Sequence, residues 1–183
     1  MKDILGNGAL GPQFIFQSQD QEEESFHQKD LIQLFPYGVS FGTDPQRPFI
    51  LFKDAQHEYT LPVAISPIEA GILINQSNKY STASNPHQVT VALLKSLGIA
   101  IQQCVFVEIK GSHQYLRIYM TGNPNTNSLK VRADEAMSLC LYLGAPIFAT
   151  KTFIGKSRAM SAQLEGLAQG ASLLGLADKG IVH

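Results

Sequence analysis

Two stretches of this sequence change from strand-like to helix-like texture within two residues, and that switch restricts the chain to short strands interleaved with short helices. In LPVAISPIEAGILINQ, residues 61–76, an apolar strand pattern runs into Ser66-Pro67-Ile68-Glu69. A serine that can accept from a free helical amide, a proline with its φ already set and a glutamate on the first turn together signal a helix start. The spacing predicts a helix from Pro67 to about Asn75. In SLKVRADEAMSLCLYLGAPIFA, residues 128–149, the strand LKVR leads into ADEAMSLCLYLG, a helix with acid on its first turn and Gly144 at its end.

The remaining segments fit the same plan. LIQLFPYGVSFG, from Leu31, reads as a strand interrupted or started at Pro36. PFILF and EYTLPVAI follow it, separated by the turns TDPQR and KDAQH, and tight turns between strands imply an antiparallel meander. Asn85-Pro86-His87-Gln88 repeats the capping logic and opens HQVTVALLKSLG, which ends at Gly98 as a left-handed terminal residue requires. IAIQQCVFVEIK and QYLRIYM form a hairpin about GSH. Leu116, Ile118 and Met120 alternate there with Tyr115, Arg117 and Tyr119, so one face is buried and the other is polar or aromatic. APIFATKTFI reads as a closing strand.

The fold class is therefore α+β, an antiparallel-dominated sheet with short helices. Glu69-Ala70 and Glu135-Ala136 each open a helix behind a hairpin and a strand, 66 residues apart, while His57 and His113 mark turns 56 residues apart. Internal duplication of a β-hairpin-plus-helix unit would explain the likeness. So would coincidence, since capped helices after hairpins are common.

The two ends differ from the body. Residues 1–30 hold two Lys against six Asp or Glu, a net −4, with little to bury, and read as a flexible acidic arm. Residues 31–154 form the α+β domain and carry +2. Residues 155–183 form a helical segment in which Met160, Leu164, Leu167, Ala171 and Leu174 space a narrow apolar seam, weakened by Gly166, Gly170 and Gly175. That seam must bury against the body or a partner. A body at +2 lacks the dense basic stripe of a duplex binder, so any nucleic-acid contact is local or weak. Cys104 and Cys140 sit among apolar residues and read as buried thiols. No apolar run approaches the roughly 18 residues of a membrane span, and no signal peptide is legible, which predicts a cytoplasmic protein with no membrane partner.

Strong catalytic motifs are lacking. GNGALG, Gly6 to Gly11, has no strand before it; no Cys-x-x-Cys or His-x-x-x-His pair occurs; His27, His57, His87, His113 and His183 are dispersed. What stands out is polar residues at helix starts: Glu69, His87, Arg132, Asp134 and Glu135. Each has a structural explanation. Glu69 can complete a capping box with Ser66, His87 can be an exposed neutral ring, and Asp134 and Glu135 complement the helix dipole with Arg132 bridging to either. Each also has a chemical one. If the halves pack as neighbours, Glu69 and Glu135 converge near Arg132 and His87. Glu69, Asp134 and Glu135 would then suit Mg²⁺ or Mn²⁺, which activate water for phosphodiester cleavage, and Arg132 would hold the phosphate.

Three blocks, Pro67-Ile68-Glu69-Ala70, His87 at its distance before Gly98, and Arg132 at its distance before Gly144-Ala145-Pro146, together resemble the bifunctional nuclease domain family over about Leu31 to Ile154. Gln88 stands where that family has Asp, and Arg132-Ala133-Asp134-Glu135 where it has Arg-Pro-Ser-Asp. The resemblance implies an α+β domain, a homo-oligomer with a dimer favoured, and nuclease action on RNA or single-stranded DNA. In that setting Glu69 and Glu135 are the metal or general-base carboxylates, His87 the acid/base group and Arg132 the phosphate holder. The changed positions leave a second expectation, a non-catalytic binding or assembly domain of the same fold.

Overall fold

The computed structural model describes residues 30–41, 48–78 and 84–173, with residues 163–173 given by backbone alone. The acidic arm up to residue 29, the turn TDPQR and the chain from residue 174 lie outside the described residues, as do the seam side chains beyond residue 162.

The first meander is built as its turns require. Strands β1 (Leu31–Ser40), β2 (Phe49–Lys53) and β3 (Thr60–Ala64) pair antiparallel in sequence order. Proline has no amide to give a ladder, and the β1–β2 register shifts between Pro36 and Gly38. The expected interruption is thus an irregularity inside one continuous strand. Between β2 and β3 the buried Asp54 carboxylate accepts from the amides of Tyr59 at 2.7 Å and Gln56 at 3.3 Å, closing the turn while His57 takes a φ of 61°.

Helix α1 (Pro67–Ser77) starts where the sequence placed it, with Ser66 Oγ accepting from the Glu69 amide at 3.1 Å. Helix α2 (His87–Ser96) begins one residue after Pro86, and Asn85 Oδ1 accepts from the His87 amide at 2.8 Å. Its end at Gly98 (φ 68°) closes with Ile99 N to Leu94 O at 2.9 Å and Gly98 N to Lys95 O at 3.1 Å. That pair of bonds defines a Schellman end. Strands β4 (Ala100–Lys110), β5 (His113–Thr121) and β6 (Ser128–Arg132) make a second meander leading into α3 (Ala133–Tyr142). Helix α3 ends with the same bond pair, Ala145 N to Cys140 O and Gly144 N to Leu141 O, both at 3.1 Å.

The seven strands form one sheet in the order β3-β2-β1-β7-β4-β5-β6. Strand β7 (Ile147–Thr150) lies between the meanders, antiparallel to β1 and parallel to β4. The architecture is α+β with a mostly antiparallel sheet. Each meander feeds a helix, but this order does not establish an internal duplication.

One segment departs from its expectation. Only residues 147–150 of APIFATKTFI are strand, and KTFI begins helix α4 (Lys151–Leu173). Thr150 Oγ1 accepts from the Phe153 amide at 3.1 Å and so opens the helix. Among the described side chains of α4, Phe153, Ile154, Ser157 and Ser161 are buried, a helical rather than alternating set. The boundary expected at residue 154 falls inside α4.

Phe52, Leu61, Phe106, Leu116 and Met137 centre the main core, where the Phe106 ring lies 5.3 Å from that of Phe153. The opposite face of β4 and β5 carries a smaller cluster of Val105, Val107 and Tyr119, with Leu31, Tyr115 and Phe148 against it. Tyr119, expected on the polar or aromatic face rather than the buried one, is therefore buried. Gln114 links the far sides of the sheet. Its amide donates to Pro62 O at 2.8 Å and accepts from Ala64 N at 3.1 Å, standing in for a strand neighbour along β3, and it also bonds Ser157 Oγ. Among the described residues, no helix is long and apolar enough to cross a membrane.

Candidate active site

Glu69 needs a partner more than a cap does. It is only 7% exposed, and a buried carboxylate without hydrogen bonds costs several kcal/mol. The carboxylate does not close the capping box back onto Ser66. It crosses to α3, where Oε2 accepts from the Ser138 amide at 2.8 Å and Oε1 from the Ser138 hydroxyl at 2.7 Å. Two turns along α1, Gln76 Nε2 donates to Ser138 O at 3.3 Å, so α1 grips Ser138 from both sides.

His87 completes the chain. Its Nε2 lies 2.7 Å from Ser138 Oγ. The hydroxyl has one proton, and an ionised Glu69 can only accept. Ser138 therefore donates to Glu69 and accepts from His87 Nε2–H. This sequence of bonds assigns the ring's tautomer and leaves Nδ1 as its basic nitrogen. Asn85 fixes the start of α2 through the His87 amide, and the Tyr142 ring lies 6.1 Å from the imidazole.

A second cluster sits at the start of α3. The Arg132 fork donates to Asp134 through Nε at 3.0 Å and Nη2 at 2.5 Å. Nη2 also donates to His113 Nδ1 at 3.1 Å, and Glu135 lies 3.6 Å from Nε. The hydrogen bond to Asp134 raises the Arg132 pKa above its ordinary value, so the guanidinium stays charged at every working pH. Asp134 and Ser138 are four residues apart on α3, and residues at that spacing share a helix face. The two clusters are thus stacked one turn apart.

Of the expected residues, Glu69 and His87 are brought together, and Arg132, Asp134 and Glu135 are brought together. The expected convergence of Glu69 with Glu135 takes another form: Glu69 is engaged by Ser138, whereas Glu135 stays with Arg132 and is 63% exposed. Among the described residues, no three His, Cys, Asp or Glu side chains are grouped to hold a metal ion. Glu69, Asp134 and Glu135 divide between the two clusters, so that set does not fit one Mg²⁺ or Mn²⁺. The sequence reading missed Ser138, Gln76 and the link from His113 to Arg132. Ser138 had one visible signal, a hydroxyl inside the otherwise apolar run AMSLCLYL.

A search of curated proteins finds no match. A family model described as the bifunctional nuclease domain matches residues 50–161, more than half of the chain and all of both clusters. The matched span begins in β2 and ends in α4, so it takes in the strands and helices that carry every residue of the site. Family membership brings the expectation of a nuclease-like or nucleic-acid-binding domain. The chain belongs to the bifunctional nuclease domain family.

Proposed function

We propose that the protein hydrolyses phosphodiester bonds of RNA or single-stranded DNA, with His87 as the proton-transfer group. The Glu69–Ser138–His87 chain carries this reading. Water held beside a phosphate gives a proton to His87 Nδ1 as its oxygen attacks phosphorus. The proton on Nε2 stays bonded to Ser138, and the Glu69 carboxylate behind the hydroxyl stabilises the imidazolium that forms. The departing oxygen takes its proton from solvent. Arg132 stands one turn away as phosphate holder, and binding there exchanges its bidentate contact with Asp134 for one with phosphate. Before substrate binds, Asp134 and Glu135 hold the Arg132 fork in place. The two buried free thiols favour the cytoplasm as the compartment.

The test is cleavage of single-stranded RNA and DNA by native protein, His87→Ala, Glu69→Gln and Arg132→Ala, each with Mg²⁺, Mn²⁺ or EDTA. His87→Ala should lower kcat by about 10²- to 10⁴-fold while the thermal melt is retained. Absence of cleavage under all three conditions, or cleavage indifferent to His87, would sink the reading.

One observation favours assembly as a second role. Helix α2 buries no residue, and Val89, Leu93 and Leu97 stand 68%, 56% and 66% exposed at spacings of four. Such a stripe suits the seam of a homodimer.

A further inference from the structure

The face of β4, β5 and β6 turned away from the main core carries three cations, Arg117, Lys130 and Arg132, of which Lys130 and Arg132 have carboxylate partners and Arg117 has none among the described residues. Register sets three rows across it: Glu108, Tyr115 and Arg132; Val105, Arg117 and Lys130; Gln103, Tyr119 and Ser128. Arg117 and Lys130 stand directly opposite each other, and like charges so placed destabilise an antiparallel pair. Arg132 follows Lys130 by two residues on the same strand, roughly 7 Å along it. Lys130 is paired with Glu108 at 2.5 Å and Arg132 with Asp134. Among the described residues, no carboxylate lies within ion-pair distance of Arg117, whose Nη1 donates to Ser128 Oγ at 3.3 Å. Tyr115 lies among the three cations, half-buried, with Lys130 Nζ 5.7 Å from its ring centroid.

We propose that this face binds single-stranded nucleic acid, with Arg117 and Lys130 on the phosphates and Tyr115 as a stacking surface for an unpaired base. The proposal rests on the reading above that the chain acts on nucleic acid, and adds where the strand lies and how it reaches Arg132. Cations in adjacent rows follow a backbone, and a tyrosine between them offers a π face that stacks with any base. Bases inside a duplex present no free face to that ring. Three cations also fit a body whose charge is too small for duplex binding.

The experiment is fluorescence anisotropy of labelled 20-mer oligo-U and oligo-dT with the full chain in EDTA, over a series of NaCl concentrations. Arg117→Thr and Lys130→Gln should each weaken binding about tenfold and flatten the plot of log affinity against log salt by about 0.7. Tyr115→Leu should weaken binding about tenfold with the slope unchanged. Arg117→Thr should leave the melting temperature unchanged or raise it, because it removes the repulsion with Lys130. Native affinity and slope in the Arg117 and Lys130 variants would overturn the proposal, as would an equal loss in a Lys156→Gln control or no binding by native protein at low salt. Binding through this face without any cleavage would uphold this site and remove the nuclease reading. Cleavage at native efficiency by the Arg117 and Lys130 variants, at substrate well below saturation, would do the reverse.

Discussion

Ser138 has one proton and two partners, which makes it the residue on which the site turns. Ser138→Ala leaves His87 Nε2–H and one Glu69 oxygen without their bonds, beside a fully buried position where Glu69 is nearly buried and His87 half-buried. The expected cost is about 1–3 kcal/mol by urea denaturation. Cleavage should fall with it, because nothing then selects the tautomer with a basic Nδ1. Cys104 and Cys140 are each 1% exposed. The Cys140 thiol's hydrogen bond to Cys104, aided by burial, pushes the Cys140 pKa up, so the thiol stays protonated and unreactive. Neither cysteine should react with a disulfide reagent at pH 8 in the folded chain, and both should react in urea. The sign for stability follows. The folded chain keeps a proton that the unfolded one releases, so this contribution is full below the ordinary thiol value of 9.0 and declines as pH rises above it.

Elements are tied together by a few close approaches. A Cβ on Gly122 would lie 1.9 Å from Gly98 O, and Gly122 has a φ of 89°. The loop after β5 therefore touches the end of α2 backbone to backbone. Gly122→Ala should cost about 3 kcal/mol or more, combining strain with a forced displacement. Gly111→Ala, with a φ of 61° and open space, should cost about 1 kcal/mol. Comparison of the two urea midpoints isolates the contact. At this scale the sequence was largely readable. Ser66, Gly98 and Gly144 act within a few residues of themselves, so the ends they set can be read locally. KTFI was misread because its apolar residues fit either period, and the Thr150 hydroxyl that opens α4 is a contact rather than a composition.

For the whole molecule the open matter is what meets α2. Leu93→Glu removes an exposed leucine from a helix with no buried residue, so folding stability should move by no more than about 0.5 kcal/mol. If α2 is the seam of a dimer, light scattering should show native protein at twice the 20.0 kDa chain mass and the variant at 20.0 kDa. A native monomer would remove the assembly role.

By itself the sequence determined the α+β class, the antiparallel meanders and the Ser66 cap of α1, all properties that short-range periodicity and backbone preference encode. Only the tertiary structure decided that Glu69 turns from Ser66 to Ser138, that β7 enters between two meanders, and that Glu69 and Glu135 serve different clusters. Those outcomes rest on residues far apart in the chain, such as Glu69 with Ser138, His87 with Ser138 and Leu31 with Thr150. A buried carboxylate takes the donors that folding brings to it, and no local spacing in the chain names them.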